Sequence, residues 1–274
     1  VQLLRDKHCN TKVLGIRDCS VQRNNQKVVE ESESTMLPAH LEAEALKHTA
    51  ALADAVDYMG AGTVEFIYDL DENAIYFMEM NTRLQVEHPV TEATSCIDIV
   101  SAQYDIASGK SIADLQPQKK GYAIEVRVTA EKAALDNNGV MQLLPYPGKV
   151  AEYSIPEQDD VEVMSMIAEG KEVSPYYDSL VAQFICHGED RNDTVQKLLK
   201  FLDKVVIRGI ATNIPLLQRI LKDEIFLSGV YDTTYLPKFM AKLDQKVMID
   251  EMEASASAGG PDISIKVDGS DELK

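Results

Sequence analysis

Between Thr63 and Val90 the chain reads TVEFIYDLDENAIYFMEMNTRLQVEHPV, and this stretch gathers the side chains best suited to chemistry. Glu65 and Glu79 supply carboxylates and Asn81 an amide, followed at every second position by Arg83, Gln85 and Glu87 and then by His88. Folded as a hairpin centred on Asp71 to Asn73, the segment sets Glu65 opposite Glu79 on one side of a sheet. Like charges directly opposite cost stability. A divalent cation between them removes that cost, because hard cations take carboxylate oxygens and share their remaining positions with phosphate and water. The plainer alternative is a polar sheet face carrying two solvated acids. An extended run from Asn81 would aim Asn81, Arg83, Gln85 and Glu87 the same way. Arg83 could then clamp two oxygens of a small planar anion, and Glu87 could take a proton from it as general base. Here too a plainer alternative stands, an Arg83 to Glu87 surface pair of little consequence.

The elements that must position these groups are legible from periodicity. Val64, Phe66 and Tyr68 alternate with Thr63, Glu65 and Ile67, and Ile75 and Phe77 alternate with Tyr76 and Met78, as half-buried strands do. Upstream, Val1 to Leu4 and Thr11 to Ile16 read as strands. Gln22, Arg23, Asn24, Asn25, Gln26 and Lys27 form a polar cluster that either lies in solvent or lines a polar site. Leu41, Ala45, Thr49, Leu52, Val56 and Met59 recur every three or four residues, predicting a helix over Pro38 to Met59 ended by Gly60 and Gly62. A second helix is predicted over Ile97 to Ser108. The polar, Pro117-containing stretch Lys110 to Lys120 marks a boundary.

Beyond it, strands are predicted at Tyr122 to Thr129, Met141 to Leu144, Lys149 to Tyr153, Val161 to Ala168 and Ser179 to Cys186, and helices at Thr194 to Val206 and Pro215 to Phe226. Glu125 and Arg127 share a strand face and, taken alone, read as a solvated pair. From Leu243 the chain turns acidic and rich in Ala, Ser and Gly, which is linker composition. Ile263 to Val267 could open a further strand.

With 274 residues the chain can bury a good core in one or two domains. Its formal net charge of -18 disfavours nucleic acid or an anionic membrane as partner. Cys9, Cys19, Cys96 and Cys186 lack the paired spacing of a zinc site or disulfide framework, so reduced thiols in a cytoplasmic setting are expected. No apolar run reaches the roughly 18 residues of a membrane span. The chain opens on strand-like VQLL, as though inside a domain.

The run EMNTRLQVEHPVTE, Glu79 to Glu92, resembles the motif of biotin carboxylases, the ATP-grasp enzymes that carboxylate protein-linked biotin. The likeness extends from Val1 to about Lys242. It includes SVQRNNQKVVEE against the pattern SxQRRxQKxxEE, and AIEVRVTAE, LPYPGKV, SPYYDSL and RGIATNIPLL further on. It implies an α+β fold: the C-terminal part of an ATP-grasp domain over 1–112, the biotin carboxylase C-terminal domain over 113–242 and an acidic tail over 243–274. The site would lie in the cleft between the first two.

By the same resemblance Glu65, Glu79 and Asn81 hold Mg2+ or Mn2+, with Gln22, Lys27, Glu65 and Glu79 at ATP. Lys27, Arg83, Gln85 and the Val86 backbone hold bicarbonate. Glu87 is the base, and Arg127 steadies the biotin enolate formed when N1 loses its proton. The partners it implies are a biotin carboxyl carrier domain and a carboxyltransferase, as in acyl-CoA or pyruvate carboxylases, with a homodimer in the full-length protein and the cytoplasm, or the mitochondrial matrix of a eukaryote, as location.

The likeness has departures. Asn24 stands where the pattern carries a second arginine, and Glu162 and Met164 stand where it carries an arginine and an acid, a change expected to bear on structure or subunit contacts rather than chemistry. No glycine-rich phosphate loop occurs in these residues, so negligible ATPase is expected of them alone. A different ATP-grasp ligase of the carbamoyl-phosphate type, or a non-catalytic carboxylase-like subunit, are the rival readings.

Overall fold

A computed structural model describes residues 1–256 of the chain. Its first sheet is antiparallel, in the order β2-β1-β5-β6, from β1 (Gln2–Arg5), β2 (Thr11–Gly15), β5 (Gly60–Asp69) and β6 (Ala74–Asn81). Between β2 and β5 come β3 (Asp18–Arg23), β4 (Gln26–Glu31) and α1 (Ala39–Ala55). Leu3 and Leu4 are both fully buried because helices cover both faces of β1. Leu3, Val64 and Ala53 pack under α1. On the other face Leu4 and Ala61 pack with Ile99, Ala102 and Ile106 of α3 (Ile99–Ala107), which follows the short α2 (His88–Ser95). The predicted first helix is thus present but stops at Ala55, where Asp57 turns the backbone at φ 49°.

The β5–β6 hairpin places the two acids opposite each other by an unexpected route. Asp69 Oδ1 accepts from the Asp71 and Glu72 amides, which tightens the turn, and the distal register runs Asp69 to Ala74 through Phe66 to Phe77. Continued unbroken, that register would set Glu65 against Met78. A bulge at this point moves it by one residue, and Glu65 pairs with Glu79 and Thr63 with Asn81. Bulges kink strands and re-aim side chains.

Arg17 to Glu31, which contains the polar cluster Gln22 to Lys27, folds as a second hairpin. Asn24 and Asn25, with φ of 51° and 63°, form its turn, and asparagine is among the few L residues that tolerate the left-handed region. Although early in the chain, this hairpin belongs to the later sheet, of order β12-β14-β7-β4-β3.

That sheet is completed by β7 (Tyr122–Thr129), then, past β8 (Glu131–Leu135), β9 (Met141–Pro145), β10 (Gly148–Lys149) and β11 (Glu152–Ser154), by β12 (Val161–Ser165) and, after β13 (Glu172–Val173), β14 (Leu180–Gly188). Val29, Ile124, Val126 and Phe184 face its core, closed by α4 (Arg191–Leu202) and, after β15 (Val206–Arg208), by α5 (Ile214–Ile220), α6 (Glu224–Ser228) and α7 (Tyr235–Lys242). Every strand pairing among the described residues is antiparallel. The helix predicted over Pro215 to Phe226 is two, broken where Asp223 caps the second.

The tail departs from its linker composition. Asp244 accepts from the Val247 amide and starts α8 (Gln245–Ala254), which buries Met248 and Met252 in the larger core and pairs Glu251 with Arg219. Apolar side chains four apart on an otherwise acidic helix suffice for that. The strand considered at Ile263 to Val267 lies outside the described residues.

Candidate active site

From β4, an interior strand of the second sheet, Lys27 reaches Glu65 of the first, and the polar side chains meet around it. Lys27 ion-pairs with Glu87 and lies 3.3 Å from Glu65 Oε1. Glu87 offers its second oxygen to Arg127 Nη2 at 3.0 Å, and Arg127 Nε donates to Glu30 Oε1 at 2.6 Å. On the other side of Lys27, Asn81 Nδ2 donates to Glu65 Oε1 at 3.2 Å and to Glu79 Oε1 at 3.0 Å. A chain of polar contacts therefore runs Glu79, Asn81, Glu65, Lys27, Glu87, Arg127, Glu30 from the edge of the first sheet into the second, alternating in charge from Glu65 onward.

Gln85 and Glu87 are buried because the chain leaves β6 after Asn81 and turns into α2, with Glu87 as the residue before the helix and Pro89 in its first turn. Gln85 Nε2 donates to Glu65 at 2.8 Å, and its Oε1 accepts from Arg17 at 2.9 Å. Arg17 also donates to Gln2 Oε1, Thr63 Oγ1 and Thr91 Oγ1, so one guanidinium fixes two strands, the loop and α2. The expectation that Asn81, Arg83, Gln85 and Glu87 share one extended face does not hold. Residues 82–87 form no strand, and Arg83 is exposed with Nη1 on the Leu84 carbonyl at 3.1 Å, apart from the charged chain. The Val86 carbonyl accepts from Gln183 at 2.9 Å. Gln22 sits in β3, half-buried, with Lys27 as its register partner.

Burial alone would push Glu87 up, but the charges of Arg17 and Lys27 and the Lys27 hydrogen bond outweigh it and hold Glu87 at about 2. Burial works against the charge on Lys27, and the anionic groups around it, Glu87 and Glu65 among them, reverse the balance and raise it. Glu87 is therefore a carboxylate able to accept a proton, and Lys27 a fixed cation. Glu30 and Glu125, both fully buried, are pushed upward by burial, Glu30 also by the charge of Glu87 and Glu125 also by that of Glu30. Sequence reasoning missed Glu30 and, from the residues alone, took Glu125 and Arg127 for a solvated pair, Arg127 entering the site only through the family resemblance. The only available signal was acids placed in strands whose alternate residues are Val and Ile.

Three or more His, Cys, Asp or Glu grouped as a metal site do not occur among the described residues. Two carboxylates and a carboxamide do converge at Glu65, Glu79 and Asn81. This all-oxygen donor set suits a hard divalent cation, and the like-charged pair needs a positive partner. Lys27 and the Asn81 amide supply that positive partner here.

Two domain families cover most of the chain, the first of the ATP-grasp class. Residues 1–115 match the family described as carbamoyl-phosphate synthase L chain, ATP binding domain, and residues 125–238 match the biotin carboxylase C-terminal domain. Biotin carboxylase 1 of Bacillus subtilis is 41% identical over 241 residues, which are 87% of this chain and 52% of that protein. The mitochondrial propionyl-CoA carboxylase alpha chain of Homo sapiens is 40% identical over 239 residues, 86% of this chain and 32% of that one.

Among solved structures, a Campylobacter jejuni biotin carboxylase bound to β,γ-ATP superposes with a TM-score of 0.81 at 36% identity, over 87% of this chain and 52% of that one. The biotin carboxylase domain dimer of Hydrogenobacter thermophilus 2-oxoglutarate carboxylase, with MgADP, ADP and bicarbonate, gives 0.80 at 38%, over 86% and 51%. The chain belongs to the biotin carboxylase family and spans about half the length, or less, of the curated relatives it matches.

Proposed function

We propose that this chain carries the bicarbonate and biotin half of a biotin carboxylase site, in which ATP and bicarbonate give carboxyphosphate and CO2 passes to biotin on a carrier domain. The observation that carries it is the junction of Lys27, Glu87 and Arg127, two cations sharing one buried carboxylate. Lys27 would hold bicarbonate with Gln85, Arg83 and the Val86 backbone, and Gln22 would lie near the nucleotide. Glu87 would take the bicarbonate proton, and Arg127 would steady the biotin enolate. Losing such a cation typically costs on the order of a hundredfold in rate. Glu65, Glu79 and Asn81 would hold Mg2+ or Mn2+, which when bound neutralises phosphate charge.

In the ligand-free arrangement the charges of Arg17 and Lys27 and the Lys27 hydrogen bond hold Glu87 too acidic to be a strong base. An anion drawing Lys27 onto its own oxygens would raise Glu87 and so activate it. Partners, by the same reading, are a carrier domain and a carboxyltransferase, with a homodimer of the whole protein, in the cytoplasm or the mitochondrial matrix. No helix among the described residues is long and apolar enough to cross a membrane.

The test is ligand binding to the chain itself. Mn2+ should broaden water and [13C]bicarbonate signals, E79Q should abolish the Mn2+ effect, and K27M should weaken bicarbonate binding while leaving Mn2+ bound. Indifference of both ligands to both variants would remove the assignment. ATP hydrolysis by the chain alone should stay negligible.

A further inference from the structure

Behind the junction lies a pair of acids that the proposed reaction does not use. Glu30 on β4 and Glu125 on β7 are direct register partners, so their side chains leave the sheet side by side on the face opposite the larger core. Both are 0% exposed. Each has one oxygen accounted for: Glu30 Oε1 accepts from Arg127 Nε, and Glu125 Oε1 accepts from Gln183 Nε2 at 2.7 Å. The other oxygen of each, Glu30 Oε2 and Glu125 Oε2, is buried without a partner. Two orphan carboxyl oxygens on adjacent acids are satisfied together if one acid is protonated and donates to the other.

The surrounding charges point the same way. Facing the pair are Arg127 on β7, Lys27 on β4, the uncharged Gln183 on β14 and a third acid, Glu87, before α2. Cys19 on β3 brings no charge, its thiol pushed up to about 12 by burial. Lys27 is already shared by Glu87 and Glu65, and Arg127 by Glu87 and Glu30. Nothing is left to neutralise Glu125, and an uncompensated buried charge gives way to protonation.

We infer that Glu30 and Glu125 form a carboxyl pair holding one proton between them at neutral pH, and that its single negative charge positions Arg127 against Glu87. Glu30 and Glu125 are positioning residues, since neither touches the proposed bicarbonate or biotin. With the proton in place, Arg127 is balanced between one negative charge at the pair and one at Glu87. Without it, the pair carries two and draws Arg127 away from Glu87. The protonation stands on the geometry alone, and only its meaning for catalysis rests on Arg127 being the biotin clamp.

The experiment is carboxyl-detected NMR on the whole 274-residue chain with [δ-13C]glutamate, titrated from about pH 4 to about pH 9, the span between ordinary acids and ordinary amines. One signal, assigned by its loss in E30Q or E125Q, should titrate at or above neutrality while its neighbour stays flat over the acid range. In E125Q the Glu30 midpoint should fall toward the ordinary range, because the neutral amide replaces the protonated acid. The Arg127 Nε proton should remain slow to exchange in E125Q and become fast in E30Q.

Titration of both carboxyls together near 4.5, the ordinary glutamate value, would overturn the pair, as would a Glu30 midpoint indifferent to E125Q. If neither variant folds, the unaltered chain still decides by whether any glutamate titrates at or above neutrality. No ATP, bicarbonate or biotin is present, so the pair and the proposed reaction can fail separately.

Discussion

Replacing Glu87 by Gln should make the stability of this chain lose a component that is itself pH-dependent. Glu87 is buried and held at about 2 against an ordinary 4.5, a difference corresponding to roughly 3 kcal/mol of preference for the folded, ionised form. A depressed carboxyl contributes its stability above its unfolded pKa and loses it as the pH falls through the folded value. The deficit of E87Q should therefore be about 3 kcal/mol at neutral pH and at pH 5.5, roughly 2 kcal/mol at pH 3.5, and should vanish toward pH 2.

Urea unfolding followed by far-UV circular dichroism measures this, since the chain has no tryptophan to report by fluorescence. A deficit that is the same at pH 7 and pH 3.5, or below about 1 kcal/mol at neutrality, as for an exposed pair, would show that Lys27, Arg17 and Arg127 do not hold Glu87 as described.

Three further outcomes follow from the same contacts. R17M should raise the Glu87 midpoint above about 2, because Arg17 is the first cation to oppose burial there, and carboxyl NMR reads the shift directly. R191M should cost about 3–5 kcal/mol, the usual result of stranding a buried charge, because Glu31, 1% exposed, takes two of its hydrogen bonds from Arg191 and the others from the Tyr122 and Tyr231 hydroxyls; an unchanged urea midpoint would count against it. M252A should cost about 2–5 kcal/mol if α8 is seated in the core, and nothing if residues after Leu243 behave as a linker.

What was legible in the sequence was whatever depends on near neighbours along the chain. The alternation around Glu65 and Glu79 announces a hairpin, and the charged run after it announces a site. The α2 helix was hidden because its first turn is also the end of the motif, so His88 was read for chemistry and not as a helix start. Arg83 was placed in the charged cluster because an extended backbone was assumed past Asn81, where the chain in fact turns. Glu30 and Glu31 could not be interpreted locally at all. They leave β4 on opposite faces, and their cations, Arg127 and Arg191, lie 97 and 160 residues away. Burial of an acid is decided by such a partner, and pairing at that distance is a property of the sheet order. The α8 helix was missed for a related reason, since two methionines against a distant core outweigh an acidic composition.

The charge order across the cleft sets the cost of putting a substrate there. Lys27 and Arg127 are both satisfied by Glu87 before any anion arrives, so bicarbonate on the proposed reading gains only the difference between its own oxygens and a buried carboxylate's. Such an exchange favours ligands that bring a positive charge of their own to Glu65 and Glu79, because a cation there releases Lys27 from its second partner, 3.3 Å away on Glu65. Metal and bicarbonate should therefore bind with positive coupling even though they touch different residues: each frees the lysine for the other. By thermodynamic reciprocity the same factor must appear whichever ligand is varied. Bicarbonate affinity measured with and without saturating Mn2+, and Mn2+ affinity with and without bicarbonate, should give equal ratios above one. In K27M both ratios should collapse to one, and a coupling that survives that change would mean Lys27 is not the shared element.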